Sequence, residues 1–294
     1  MQLNAPTTQL TSFGPACTLG EGPLWHPLRQ QLFWFDIVAG TLYGANQHGG
    51  QKSSWKFGEA ASAAGWVDVD TLIVATASGL QRFSISSGSW ETLAPMEADN
   101  KLTRSNDGRI GPDGSFWIGT MGYNLEPRAG AYYRYRTGMV QQLFDQVTVP
   151  NATCFAPDGK TAFLSDTARQ VIWRWPLDDQ GNPMGEREVH IDLRDEGLNP
   201  DGAVCDAEGY LWNAQWGAAR VARYAPDGSL DRVIDLPVSQ PTCPCFGGDD
   251  LKTLYITSAR EGLSEEVLAK QPQAGEVFSL RVEVPGIEEF RAEL

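Results

Sequence analysis

The chain of 294 residues is 41% hydrophobic and 20% charged, with 31 Gly, 18 Pro and 10 Trp, which suits many short strands and tight turns better than long helices. Its net charge is −14, from 23 basic against 37 acidic residues, and such a field repels phosphate backbones and anionic lipid, so nucleic acid and membrane surfaces are not expected partners. No apolar run nears the roughly 20 residues of a spanning helix, the opening MQLNAPTTQLTSFG has neither a basic start nor an apolar core and predicts no signal peptide, and an odd set of five cysteines without a Cys-x-x-Cys pair predicts free thiols in a reduced, cytoplasmic protein.

In chain order, a strand is predicted at FWFDI (from residue 33), LIVAT (72), FWIGT (116), AFLSD (162), LWNAQ (211) and LYITS (254), at spacings of 39, 44, 46, 49 and 43 residues. Four are announced by turns, GPDGS, APDGKT, DAEGY and GGDDLKT, and further strand-like runs follow, as in AYYRYRTG, VIWRWPLD and RVARYAPDG. A period of about 45 residues with several strands per unit marks a β-propeller blade. Six units fill the chain from about residue 14 to 282 with no linker, predicting a single all-β domain over 1–294, a six-bladed β-propeller. The competing architecture, a β-sandwich with irregular hairpins, needs a second domain at this length.

The first strand of each propeller blade lines the central channel, so the positions 10 to 12 residues before each repeat strand face the axis at one height. They read Glu21 in GEGPLW, Ala61-Ser62 in EAASAAGW, Arg104 and Asn106 in TRSNDG, Asn151 in VPNATC, Asp201 in NPDGAV and Thr242-Cys243 in QPTCPC. Taken singly, Asn106-Asp107-Gly108 reads as a turn, Asn151 as a loop cap and Glu21 as a solvated acid. Each segment already has its own turn downstream, however: Asp201-Gly202 is followed by Glu208-Gly209 just before the next strand. Polar groups crowded unpaired on an inner strand would also be costly. Together Glu21, Asn151 and Asp201 offer oxygen donors and two negative charges, a set suited to one divalent cation on the axis, whether calcium, magnesium, manganese, zinc or iron(II). The lack of clustered Cys and His argues against structural zinc, and three protein ligands leave positions for water and substrate.

The ordered segments GEGPLW, RSNDGRIGPDGSFWIGTMG, VPNATCFAPDGKTAFLSDT, NPDGAVCDAEGYLWNAQWG, PTCPCFGG and LYITSAR resemble those of the SMP-30/gluconolactonase family over nearly the whole chain. The resemblance implies a six-bladed propeller with one divalent metal on its axis, and hydrolysis of aldono- or aldarolactones to sugar acids. It implies Glu21, Asn151 and Asp201 as metal ligands, Asp201 also as general base, and Arg104 and Asn106 as substrate contacts. Two departures bear on the substrate. The family's usual Pro-Asn-Gly is Pro150-Asn151-Ala152 here, and where some members place an acid two residues after the Gly-Thr-Met segment this chain has Tyr123, with Glu126 as a substitute acid or a plain surface one. The loop 121–128 is therefore expected to overhang the channel and contact substrate through Tyr123 and Glu126.

Other catalytic signatures are missing: there is no Gly-x-Ser-x-Gly elbow, P-loop or Gly-x-Gly-x-x-Gly. His26 and His48 are placed in Pro- and Gly-flanked turns and His190 in a strand, poor positions for a triad. Cys243 and Cys245 are expected to be small buried hydrophobes rather than a thiol site, since nothing basic sits nearby in sequence. Beside the sugar lactonase stand two alternatives, a metal-dependent phosphotriesterase-like hydrolase and a calcium-binding regulatory protein. A pure calcium buffer would want more carboxylates, and the chain is expected to act as a monomer or small homo-oligomer on a small-molecule sugar lactone.

Overall fold

A computed structural model describes residues 9–294; the expectation of no signal peptide over 1–14 falls mostly on residues outside that range. Six four-stranded antiparallel sheets are arranged as the blades of a propeller. The inner strands are Gly20–His26, Ala61–Trp66, Thr103–Ile110, Pro150–Phe155, Asn199–Cys205 and Pro241–Gly247, and each packs on the next until the sixth meets the first. The six repeat strands expected from sequence are the second strands of the blades: Gln31–Asp36, Thr71–Thr76, Phe116–Gly122, Thr161–Asp166, Leu211–Trp216 and Thr253–Ser258. His26 departs from expectation. It ends the first inner strand, fully buried, with Nε2 3.0 Å from the Asp68 carbonyl oxygen, because the hairpin turn begins one residue later than the Pro suggests.

The ring closes by borrowing. Blade 6 takes its outermost strand from Thr11–Phe13, which pairs antiparallel with Val277–Arg281, so its four strands come from both ends of the described chain. Phe13 packs edge-on against Trp34 of blade 1 and Tyr255 of blade 6, with ring centroids 6.0 and 6.2 Å away. Beyond the last predicted repeat, the segment 285–294 runs back under the propeller. Its backbone bonds to Ala207 and Leu251 under blades 5 and 6, then to Trp66 and Gly114 under blades 2 and 3.

Strand alternation explains where the core lies. Each blade turns one apolar face to each neighbour, and the buried hydrophobic side chains fall into six clusters, one per interface between adjacent blades. Phe33, Phe35, Leu72 and Val74 join blades 1 and 2, for example, and Trp25, Trp34 and Tyr255 join blades 6 and 1. All five cysteines are buried and unbridged, as expected. No helix among the described residues is long and apolar enough to cross a membrane.

Phe116, wholly buried between blades 2 and 3 on the far side from the ring of polar residues, tests this packing. Phe116→Ala is expected to cost about 3–5 kcal/mol, read from the shift of the urea unfolding midpoint. A loss below about 1 kcal/mol would mean that the blade interfaces carry far less of the stability than their burial implies.

A candidate active site at the head of the axial channel

Every inner strand is irregular at one level. Pairing with the second strand slips between Glu21 and Leu24, Ala61 and Ala63, Ser105 and Gly108, Asn151 and Cys154, Pro200 and Ala203, and Pro241 and Pro244. A bulge of this kind bends the strand and re-aims a side chain. Here six bulges at one height place Glu21, Ser62, Asn106, Asn151, Asp201 and Thr242 in or directly beside the irregularity. The local sequence permits it. Gly22 has φ of 54°, and a methyl group on it would run into the Ser62 carbonyl oxygen of the next blade.

Hydrogen bonds orient the ring. Thr167, in the short 3-10 turn Thr167–Arg169, donates its hydroxyl to the Pro200 carbonyl at 2.7 Å, so the Thr167 hydroxyl oxygen is left to accept from Asn151 Nδ2 at 2.9 Å. This locks the Asn151 amide with its nitrogen outward and its Oδ1 toward the axis, where Asn106 Nδ2 donates to it at 3.2 Å. Asn106 Nδ2 also donates to the Pro150 carbonyl, 2.9 Å away, and Asn106 Oδ1 accepts from Arg104 Nη1 at 2.8 Å. Asn213 Nδ2 holds the backbone carbonyls of Asp201 and Gly202 at 2.9 and 3.1 Å. Below the ring Asp107 is buried and accepts from the Thr153 amide at 2.6 Å.

Glu21, Asn151 and Asp201 are 4, 3 and 5% exposed. Burial, with the Asp107 charge beneath, pushes the Glu21 carboxyl up to about 8. Burial and then the charges of Glu21 and Asp107 push Asp201 well above the carboxylate range. Two adjacent carboxyls in a dry pocket cannot both stay ionised on their own. A divalent cation between them removes that penalty, so two carboxylates and an amide oxygen locked toward the same axis fit such a cation. The set mixes Asn with acids; among the described residues no group of three or more His, Cys, Asp or Glu is so placed.

Above the ring a cavity of about 770 Å³ opens between the loops of blades 1, 2, 3 and 6. Arg104 lines it and also touches the ring. Its Nη1 is engaged by the Ser105 carbonyl and Asn106, while no acceptor among the described residues is bonded to Nε or Nη2. Burial holds its pKa below the usual value, against the pull of Glu261, the first of the neighbouring charges. Tyr123, Asn124 and Leu125 overhang from blade 3, and Lys56, Glu59 and Glu261 complete the polar lining.

Residues 19–260 match the family described as SMP-30/Gluconolactonase/LRE-like region. The chain belongs to that family. It is 39% identical over 272 residues to the 6-deoxy-6-sulfogluconolactonase of Pseudomonas putida, covering 92% of this chain and 94% of that one. It is 34% identical over 266 residues to the L-arabinolactonase of Azospirillum brasilense, covering 89 and 87%. A solved structure titled as a calcium-binding protein, regucalcin, from Agrobacterium tumefaciens superposes with a TM-score of 0.93 at 38% identity over 95% of both chains.

Within this member of the SMP-30/gluconolactonase family, Glu21, Asn106, Asn151 and Asp201 meet at the ring, and Arg104 and Tyr123 line the cavity. Glu126 does not line it. Its carboxylate turns back on its own loop, accepting from the Asn124 amide and Asn124 Nδ2 at 3.0 and 2.9 Å, which keeps its pKa low. Ala152, in place of the family's Gly, takes the left-handed φ of 55° that Gly22 takes at its own strand, a conformation that costs a side-chain-bearing residue roughly 1–2 kcal/mol. Sequence reasoning missed Thr167, Asp107 and Glu261. Thr167 directly follows the repeat strand AFLSD, and that adjacency was the available signal.

Glu126 therefore shapes the overhang. Glu126→Ala is expected to free Asn124 and raise KM several-fold on a lactone substrate, with kcat and metal content nearly unchanged. A large loss in kcat with KM unchanged would instead give Glu126 a direct part in the chemistry.

Proposed function

We propose that the protein is a divalent-metal-dependent sugar lactonase, opening aldono- or aldarolactones to the corresponding sugar acids in carbohydrate catabolism. That it is a lactone-hydrolysing carboxylic-ester hydrolase rests on its relatives named as lactonases. The metal and the substrate class are our reading. One observation carries it: two buried, mutually repelling carboxyls and an amide oxygen locked inward are close neighbours of an arginine that lines the cavity and has spare donors.

Glu21, Asn151 and Asp201 would hold the cation. Bound there, it supplies Lewis acidity to an ester carbonyl or to water. Arg104 orients the substrate by donating from Nε and Nη2 to the carbonyl, to ring hydroxyls or to the second carboxylate of an aldarolactone. Asn106 keeps the Arg104 guanidinium and the Asn151 amide in register through its two bonds. Asp201 would accept the proton of the attacking water. Tyr123, half-exposed on the rim, offers a face for a sugar ring and one hydroxyl donor.

Metal analysis of the purified protein should give about one equivalent per chain, and Asp201→Ala should lose it; a variant that keeps stoichiometric metal would remove Asp201 from the ligand set. Arg104→Ala should keep the metal and the fold. A charged hydrogen bond to substrate is worth roughly 1.5–3 kcal/mol, so kcat/KM should fall about ten- to over a hundredfold. Wild-type turnover on the best lactone in a proton-release panel, run with and without chelator, would contradict that role.

A further inference from the structure

Beneath the ring the channel is closed by one ion pair. Arg109, next to last in the third inner strand, places its guanidinium among the inner strands, where it pairs through Nη1 with Glu289. Both side chains are nearly buried, 11 and 9% exposed. Nε donates to the Thr153 carbonyl at 3.3 Å, and Nη2 to the carbonyls of Ala203 and Pro244 at 3.3 and 3.5 Å. Thr153, Ala203 and Pro244 each lie two residues past a ring position: Asn151, Asp201 and Thr242. A single side chain from blade 3 thus ties blades 4, 5 and 6 together just below the residues that face the channel head. Glu289 arrives on the segment 285–294, which crosses under the propeller and is held at Trp66, whose indole Nε1 donates to the Glu289 carbonyl at 2.8 Å.

A channel could be plugged more simply. An apolar set of similar volume usually stabilises as well as a buried ion pair or better, so stability alone does not call for this one. Two features point upward instead. The guanidinium's three carbonyl contacts set the spacing of the strands that carry Asn151 and Asp201. Its charge, below Asp107 in the channel, would oppose a cation held in the ring above, and Glu289 cancels it.

We infer that Arg109 and Glu289 are positioning residues for the cation site, fixing the spacing of its ligand strands while keeping the channel floor neutral. The inference rests on the reading that the ring holds a divalent cation. Calorimetric titration of chelator-treated protein with manganese chloride tests it, using wild type, Glu289→Gln, and the double variant Arg109→Met, Glu289→Met. A control, Asp113→Asn, breaks an equally buried pair with Arg134 in the outer part of blade 3, 2.5 Å apart. Glu289→Gln, which leaves the guanidinium uncompensated, should weaken manganese binding at least tenfold. The double variant, neutral and apolar but without the carbonyl ties, should also bind at least tenfold more weakly while still folding. Asp113→Asn should lower the melting temperature yet stay within twofold of wild type in affinity. If Glu289→Gln does not fold, the double variant decides. Wild-type affinity in the double variant, or an equal loss in the control, overturns the inference by reducing the pair to a plug. No binding by wild-type protein would overturn the metal reading itself.

Discussion

Six strands converging on one axis leave too little room for an apolar core and too little water to solvate charge. Whatever side chains point inward there must satisfy one another or a guest. This constraint governs the channel from end to end. At the floor it is met within the protein, by Arg109 against Glu289 and three backbone carbonyls. In the middle Asp107 is answered by the Thr153 amide. At the head it is met only in part: Asn106 is bonded to Arg104, Pro150 and Asn151, Asn151 Oδ1 keeps a second lone pair, and Glu21 and Asp201 face each other. The residue that closes the account on one side, Arg104, still keeps two nitrogens free toward the cavity. The Glu21 and Asp201 carboxyls and the spare Arg104 nitrogens are therefore left for a guest at the one level open to substrate, which is where chemistry needs them.

The blade interfaces make that concentration tolerable. Stability resides in six apolar seams that lie between sheets and away from the axis, so a strained or repulsive ring can be carried without threatening the fold. The bulges serve the same division of labour. They interrupt the ladder at one height of each inner strand and leave regular pairing below, where Leu24 meets Phe33 and Cys154 meets Phe163. Ala152, held at a left-handed φ beside Asn151, shows how firmly the surrounding strands impose that bend.

The repeat was legible because it is local. A turn followed by an apolar strand recurs in sequence, and its period counts the blades; Glu21, Asn151 and Asp201 stand 10 to 12 residues before those strands. What could not be read depends on contacts between units. Thr167 matters because its hydroxyl reaches the Pro200 carbonyl of the next blade and so sets the Asn151 amide, a relation with no periodicity. Glu261 comes to the cavity from blade 6, far in sequence from Arg104. The segment 285–294 lies outside the repeat altogether, and no strand pattern announces that Glu289 will meet Arg109. Glu126 failed in the opposite sense. It stands in the right loop, yet its nearest donors are in its own turn, and two short bonds there outcompete the cavity.

The borrowed strand of blade 6 carries a consequence for how the molecule comes to be. Ser12 lies opposite Phe278 in that sheet, so the pairing closes a loop spanning almost the whole described chain. Loop-closure entropy rises only slowly with length, which makes the junction thermodynamically affordable. In time it is another matter, since contacts of such separation form late. During synthesis the blades can stack one after another while the early strand waits with its edge unpaired and Phe13 without Tyr255. The last interface to form is then the one that turns an open stack into a ring, and only that event brings blade 1, with Glu21, round to face Asp201. A complete channel head thus depends on ring closure, and a chain left open between blades 6 and 1 would lack it even with its other blade interfaces formed.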